Sequence, residues 1–258
     1  LFQEARKNKT IKTIVFRVNS PGGSALASDE IWREVQLTNE TKKVIVSMGD
    51  VAASGGYYIS APATTIFAEP STITGSIGVF GMIPYTGKML QDKLGMTFDR
   101  AATNQHSVMT TNRKLTPEEY LLVQEEVDGI YDQFLSRVAE GRGMTKERVN
   151  EIARGRVWTG RDALAIGLVD KLGGISDAIA YAAKKSNISS PKVLYYPLKK
   201  EDPWLSLLED LEEQQENEMR VSMQHSMPQE LVYYYNQLKS IESMSGMQMR
   251  MPFELLIR

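Results

Sequence analysis

Thr13-Ile14-Val15-Phe16-Arg17-Val18-Asn19-Ser20-Pro21-Gly22-Gly23 and Lys43-Val44-Ile45-Val46-Ser47-Met48-Gly49-Asp50-Val51-Ala52-Ala53-Ser54-Gly55-Gly56 decide the fold. Each opens with a short β-branched, apolar run and closes on glycines, the pattern of a buried strand entering a sharp turn. Between them, Ala25 to Leu37 carries Ile31, Trp32, Val35 and Leu37 at helical spacing, with Ser24 or Ser28 available as a cap. A further helix, Ser54 to Ala61, follows the second turn. Strand, helix, strand, helix is a β-α-β unit, which calls for a parallel sheet with helices on its faces. Both glycine turns then lie at the carboxyl edge of that sheet, where ligands and catalytic groups of open α/β sheets gather.

Beyond this unit, Thr64 to Ala68 reads as a third strand, and Thr74 to Gly81 as a glycine-interrupted strand or loop. Met89 to Leu94 is a short helix closed by Gly95. The strongest helical pattern runs from Pro117 to Gly141, with Pro117 in its first turn and Glu118 and Glu119 near its positive end. A helix over Thr145 to Ala153, the segments Ala163 to Leu168 and Ile175 to Ala183, and a last β-like run, Lys192 to Tyr196, complete an α/β body over residues 1–198. Residues 199–258 form a Met-rich helical extension, with Glu- and Gln-rich stretches at Asp202 to Gln215 and Gln229 to Ile241. Seven of the thirteen methionines lie beyond residue 218. Methionine on helix faces suits an adaptable oligomer or membrane-surface contact, and equally the filling of a core.

The composition excludes several function classes. A net charge of -2 over 258 residues leaves no basic field for a phosphate backbone, so nucleic acid is not an expected partner. Absence of cysteine removes disulfides, thiolate metal sites and cysteine nucleophiles, and two histidines, His106 and His225, do not make a His-rich metal centre. No cofactor or metal is expected. Leu1 to Lys7 reads as the end of an amphipathic helix, the expectation being a fragment or processed product.

The chemistry concentrates at the two turns. Ser54 follows a strand directly, with the N–H groups of Gly55 and Gly56 beside it, and Ser20-Pro21-Gly22-Gly23 can supply another free N–H where glycine lets backbone approach a substrate carbonyl. A hydroxyl flanked by backbone donors suits an oxyanion intermediate. The same residues equally make a helix cap and two turns. A serine nucleophile also needs a base. His106 and His225 lie in polar stretches, which argues against a Ser-His-Asp triad, and leaves a lysine of depressed pKa as the alternative. Lys88, Lys93 and Lys114 are the candidates within the chain, none in a distinctly apolar setting.

Together these segments resemble the signal peptide peptidase A family, also called protease IV, membrane-associated serine proteases of the Clp/crotonase superfamily. The likeness covers about residues 10 to 195. It runs through Val18-Asn19-Ser20-Pro21-Gly22-Gly23-Ser24, Asp50 to Tyr58, Pro70-Ser71-Thr72-Ile73-Thr74-Gly75-Ser76-Ile77-Gly78, Gly141-Arg142-Gly143-Met144, and Val157-Trp158-Thr159-Gly160 with Gly167-Leu168-Val169-Asp170. The resemblance implies a Clp/crotonase-like fold, Ser54 as nucleophile, Gly55 and the Pro21-Gly22-Gly23 turn as oxyanion donors with Gly23 favoured over Gly22, and Ser76 as the hydroxyl that orients the base lysine.

The base is where the chain departs from the short members of that family. The region that should carry the lysine reads Thr103-Asn104-Gln105-His106-Ser107-Val108-Met109, without one. Long, two-repeat members carry the serine in the carboxyl-terminal half and the lysine in the amino-terminal half, so the chain resembles that carboxyl-terminal half, with the amino-terminal half as a partner. The resemblance further implies a bacterial envelope protease that degrades cleaved signal peptides and other short hydrophobic peptides, a homo-oligomer, and membrane attachment through an upstream segment. Two other classes remain open on the residues: a crotonase-type acyl-CoA enzyme using the same turns, and a non-catalytic assembly domain.

Overall fold

The computed structural model describes residues 1–104, 107, 109–197 and 246–250. The chain divides into two compact units: Phe2–Pro191 with Ser245–Arg258, and Leu1 with Lys192–Met244.

The first unit is an α/β body, as the β-α-β reading requires. Strand β1 (Ile14–Ser20) runs parallel to β3 (Val44–Ala53), with helix α2 (Ala25–Asn39) as the crossover. Ser24 caps α2 by accepting from the Ala27 N–H at 3.4 Å. On its other side β3 is shared: Ile45, Val46 and Ser47 pair with β4 (Thr65–Ala68), while Val51, Ala52 and Ala53 pair with β5 (Ile73–Gly75), all parallel. Strand β8 (Lys171–Leu172) extends the β4 side in parallel, and β7 (Val157–Thr159) closes the β5 side.

Strand β7 pairs antiparallel, so the sheet is mixed rather than wholly parallel. The long helix α5 (Pro117–Arg142) and α6 (Lys146–Ile152) bring the chain back to the carboxyl edge before β7 begins, which fixes its direction. Helix α5 starts on a reciprocal capping box, Thr116 with Glu119, and Pro117 occupies its first position.

Both faces of β3 are covered, which is why its apolar run does not alternate with polar residues. Val46 and Met48 join the main core with Trp32, Tyr57, Tyr58, Phe134, Val138 and Leu168, and Ile45 packs on the other face with Phe67, Ala178 and Ala182. The last two belong to helix α8 (Ile175–Lys185).

Gly49 does not make the expected turn, and β3 continues through it to Ala53. A methyl group on Gly49 would lie 2.6 Å from Asn19 Oδ1, and that oxygen accepts from the Val51 N–H at 3.1 Å. Gly49 thus makes room for a side chain from β1 that bridges to β3. The turn comes later, at Ser54.

The glycine-interrupted stretch resolves into β5 and β6 (Phe80–Met82), and the helix closed by Gly95 is α4 (Gly87–Leu94), with Gly95 left-handed at φ 63°. Ahead of Leu168 the chain forms α7 (Gly160–Ala165), which begins at Gly160 because Thr159 caps it by accepting from the Asp162 N–H.

A second, three-stranded antiparallel sheet has the order β2 (Gly22–Ser24), β9 (Gly246–Arg250), β6. In the second unit, Lys192 to Tyr196 forms no strand. Val193, Leu194 and Tyr195 are exposed there, and β propensity without a neighbouring strand does not make one. The helical stretches expected at 202–215 and 229–241 lie outside the described residues, and the described part of the extension, 246–250, is strand. No helix among the described residues is long and apolar enough to cross a membrane.

Candidate active site

Three carboxyl ends meet at one place: β1 leads into Ser20-Pro21-Gly22, β3 into Ser54, and β5 into Ser76. Ser54 joins β3 to helix α3 (Gly55–Ser60) with φ 53° and ψ -115°, a conformation that L residues rarely adopt and that stores of order 1–3 kcal/mol. It is fully buried. Although Ser54 occupies the cap position of α3, its side chain makes no cap hydrogen bond, and its hydroxyl donates instead to the Gly78 carbonyl at 3.4 Å. Simple helix capping therefore does not account for this serine.

The strained backbone is held from two sides. The Ser54 N–H donates to the Gly75 carbonyl at 2.8 Å, and the Ser54 carbonyl accepts from the Tyr58 N–H at 2.8 Å. Ser76, between Gly75 and Gly78, is itself buried and left-handed at φ 48°, with its N–H donating to the Arg156 carbonyl at 2.7 Å. The resemblance relates Ser54 and Ser76, and the fold brings the two to adjoining turns.

The glycine turn closes the other side. Gly22 has φ +107°, and a methyl group on it would lie 2.9 Å from the Gly55 nitrogen and 1.9 Å from the Met249 carbonyl oxygen. On Gly55, a methyl would lie 2.6 Å from Ser28 Oγ and 3.2 Å from the Gly22 Cα. Gly56 is equally tight, its missing side chain facing the Ser20 carbonyl at 2.5 Å. Backbone and the Ser28 hydroxyl thus fill the space between β1, β2 and α3. Gly23, by contrast, has no atom within 4 Å of where its side chain would be.

Tyr57, Arg142 and Asp170 support this arrangement, and the sequence reading gave none of them a role; Ser28, expected only as an alternative cap for α2, packs against Gly55 instead. Tyr57, three residues past Ser54, is fully buried, and its hydroxyl donates to the Leu168 carbonyl at 2.8 Å. Burial pushes that phenol well above its ordinary range. Arg142 donates to the Gly167 carbonyl at 3.2 Å and to Asp170 Oδ1 at 2.5 Å, while Asp170 Oδ2 accepts from the Ile66 N–H at 2.7 Å. Gly141 packs on the Ala61 carbonyl at the end of α3. Two glycine-containing motifs quoted from the sequence therefore join each other behind α3, and their arginine and aspartate were the available clue.

For the base, His106 and His225 lie outside the described residues. Lys88 pairs with Asp92 at 2.7 Å on the surface. Among the described residues no lysine hydrogen-bonds to Ser54 or Ser76.

The sequence profile of Peptidase family S49 matches residues 36–189. The Serine protease SPPA, chloroplastic, of Arabidopsis thaliana is 44% identical over 188 residues, 72% of this chain and 28% of that protein. Protease 4 of Salmonella typhi is 43% identical over 195 residues, 75% of this chain and 31% of that protein. The chain thus spans about three tenths of the length of these relatives. Among solved structures, a mutant of ClpP1 from Listeria monocytogenes aligns with a TM-score of 0.43 at 16% identity, covering 69% of this chain and 86% of that one. With more than half of its length matched by the family profile, this chain belongs to peptidase family S49, the serine peptidases of the SppA and protease 4 type.

Proposed function

We propose that the chain is the nucleophile-bearing part of a Ser-Lys serine endopeptidase, with the lysine contributed by residues outside it. The observation that carries this reading is Ser54 itself: buried, in a strained conformation, and with its hydroxyl directed away from the helix it opens. Strain of this kind persists only where surrounding structure over-determines it, and it gathers at reactive residues.

In the reaction, a neutral lysine takes the Ser54 proton as Oγ attacks the peptide carbonyl carbon. The carbonyl oxygen becomes an anion, which the Gly55 and Gly23 N–H groups stabilise. One such donor contributes on the order of 3 kcal/mol to the transition state. Ser76 orients the lysine. The C–N bond breaks as the lysine returns the proton to the leaving amine, and water then hydrolyses the ester on Ser54.

The substrates are cleaved signal peptides and other short hydrophobic peptides at the cell envelope. Such a protein works as an oligomer, membrane-associated through a segment upstream, and requires its amino-terminal half. The names and lengths of the relatives support this reading, since each is a longer protease. Labelling by a fluorophosphonate tests it. With the lysine-bearing half supplied, Ser54 labels and Ser54→Ala does not; with this chain alone, labelling and peptide hydrolysis are nearly absent. Serine-dependent hydrolysis by this chain alone would overturn the missing-lysine reading.

A further inference from the structure

Strand β9 comes from far along the chain, yet it sits between β2 and β6 as the central strand of their sheet, antiparallel to both. Without it neither three-residue strand has a ladder partner among the described residues, and isolated strands of that length do not form sheets on their own. The two edges thus define a slot for an extended peptide, filled here by the chain's own Gly246–Arg250.

The register of this occupant is specific. Met249 lies opposite Gly23 and Gln248 opposite both Ser24 and Phe80. The Met249 carbonyl oxygen points at β2, 1.9 Å from the missing side chain of Gly22 and 3.1 Å from that of Gly55. In an antiparallel ladder a carbonyl turned toward its neighbour faces the N–H of the residue opposite, here Gly23. A peptide carbonyl therefore occupies the corner between Gly22, Gly23 and Gly55, where an oxyanion would form. The side chain reinforces this: Met249 is 1% exposed and belongs to the main core cluster, and Met247 Sδ approaches Gly81, 3.2 Å from its missing side chain.

We propose that Gly246–Arg250 is a tethered pseudosubstrate that blocks the Ser54 site in cis, so that an incoming peptide must displace β9 before it can bind. This inference rests on the reading of Ser54 as the nucleophile. The occupant holds a carbonyl at the glycine corner and an apolar side chain beside it, which points to incoming peptides with an unbranched apolar residue at the matching position. A tethered occupant competes at an effective concentration that reaches about the millimolar range, so releasing it tightens binding of a free peptide by ~10-fold or more.

The test uses the absence of cysteine. In the full 258-residue chain carrying Phe80→Cys and Gln248→Cys, oxidation locks two register partners across the β6–β9 ladder, and reduction frees them. The probe is a fluorescein-labelled peptide with the sequence of residues 245–251, Ser-Gly-Met-Gln-Met-Arg-Met, followed by anisotropy. The reduced protein should bind it, and the oxidised protein should bind at least ~10-fold more weakly. Gln248→Pro, which removes a ladder N–H, should bind it ~10-fold more tightly than the parent chain. Equal affinity in the oxidised and reduced states, or no binding in either, overturns the proposal, and comparing one protein in two redox states keeps the result independent of how any variant folds. Fluorophosphonate labelling of the same protein with the lysine-bearing half supplied separates the two readings. Loss of the redox effect with Ser54 labelling intact sinks only the pseudosubstrate, and a redox effect without labelling under those conditions sinks only the nucleophile.

Discussion

The Ser54 N–H donates to the Gly75 carbonyl, so the candidate nucleophile is fastened through its backbone to the residue just before Ser76. Strand pairing continues this link, with Ala53 in register with Gly75. The two serines therefore cannot move apart without breaking the end of the β3–β5 ladder. The role proposed for the Ser76 hydroxyl, orienting a base, needs a fixed distance from Ser54, and this attachment supplies it.

Because Ser54 has a positive φ without being glycine, the site is held at a cost to stability. Ser54→Gly should raise the unfolding free energy by about 1 kcal/mol relative to Ser54→Ala, although both remove the candidate nucleophile's hydroxyl. Thermal unfolding of the two variants side by side measures the difference, and an alanine variant as stable as the glycine one would refute stored strain.

The two glycines of the turn should respond in opposite ways. Gly22→Ala puts a methyl on the Met249 carbonyl and against the Gly55 nitrogen in a conformation that disfavours alanine, and should cost about 2 kcal/mol or more, on the order of the large strain cases. Gly23→Ala meets open space and should stay within about 0.5 kcal/mol of the parent. Urea unfolding of both proteins separates them.

Removing the Tyr57 hydroxyl leaves the Leu168 carbonyl buried without that donor. Tyr57→Phe should destabilise the protein by about 1–3 kcal/mol, the usual cost of an orphaned buried polar group. A change near zero would mean that the carbonyl finds another partner.

Acid should weaken the start of α5. The Arg113 guanidinium, and then the Thr116 N–H, hold the Glu119 carboxyl at about 2, below its ordinary 4.5. As pH falls, the unfolded chain takes up this proton before the folded one does. The contribution is therefore complete above pH 4.5 and is lost as pH falls toward 2. Glu119→Gln should be less stable at neutral pH and show a flatter decline across that window, read from urea midpoints at each pH.

Much of the scaffold could be read from the sequence because it rests on local pattern. The apolar runs at β1 and β3, the helical spacing in α2, and Pro117 with Glu119 at the start of α5 each encode their element within a few residues. Ser54 and Ser76 were legible as adjacent to glycine, although their positive φ angles were not. What escaped depends on contacts distant in sequence. Gly49 looks like a turn until Asn19 is seen to lie against it. Arg142 and Asp170 each look like surface charges until the fold pairs them. Strand β9 has no local mark at all, since Gly246–Arg250 becomes a strand only because two short edges are waiting for it.

The division of β3 between two neighbours also separates two kinds of duty along one strand. Its first half, against β4 and beneath α8, packs on the second core cluster, and its second half, against β5, leads to the candidate nucleophile Ser54. Sequence drift along Ile175–Lys185, which packs on the other face of β3, can thus alter how robust the molecule is with little reach to Ser54. That separation gives a lineage room to tune durability and chemistry independently.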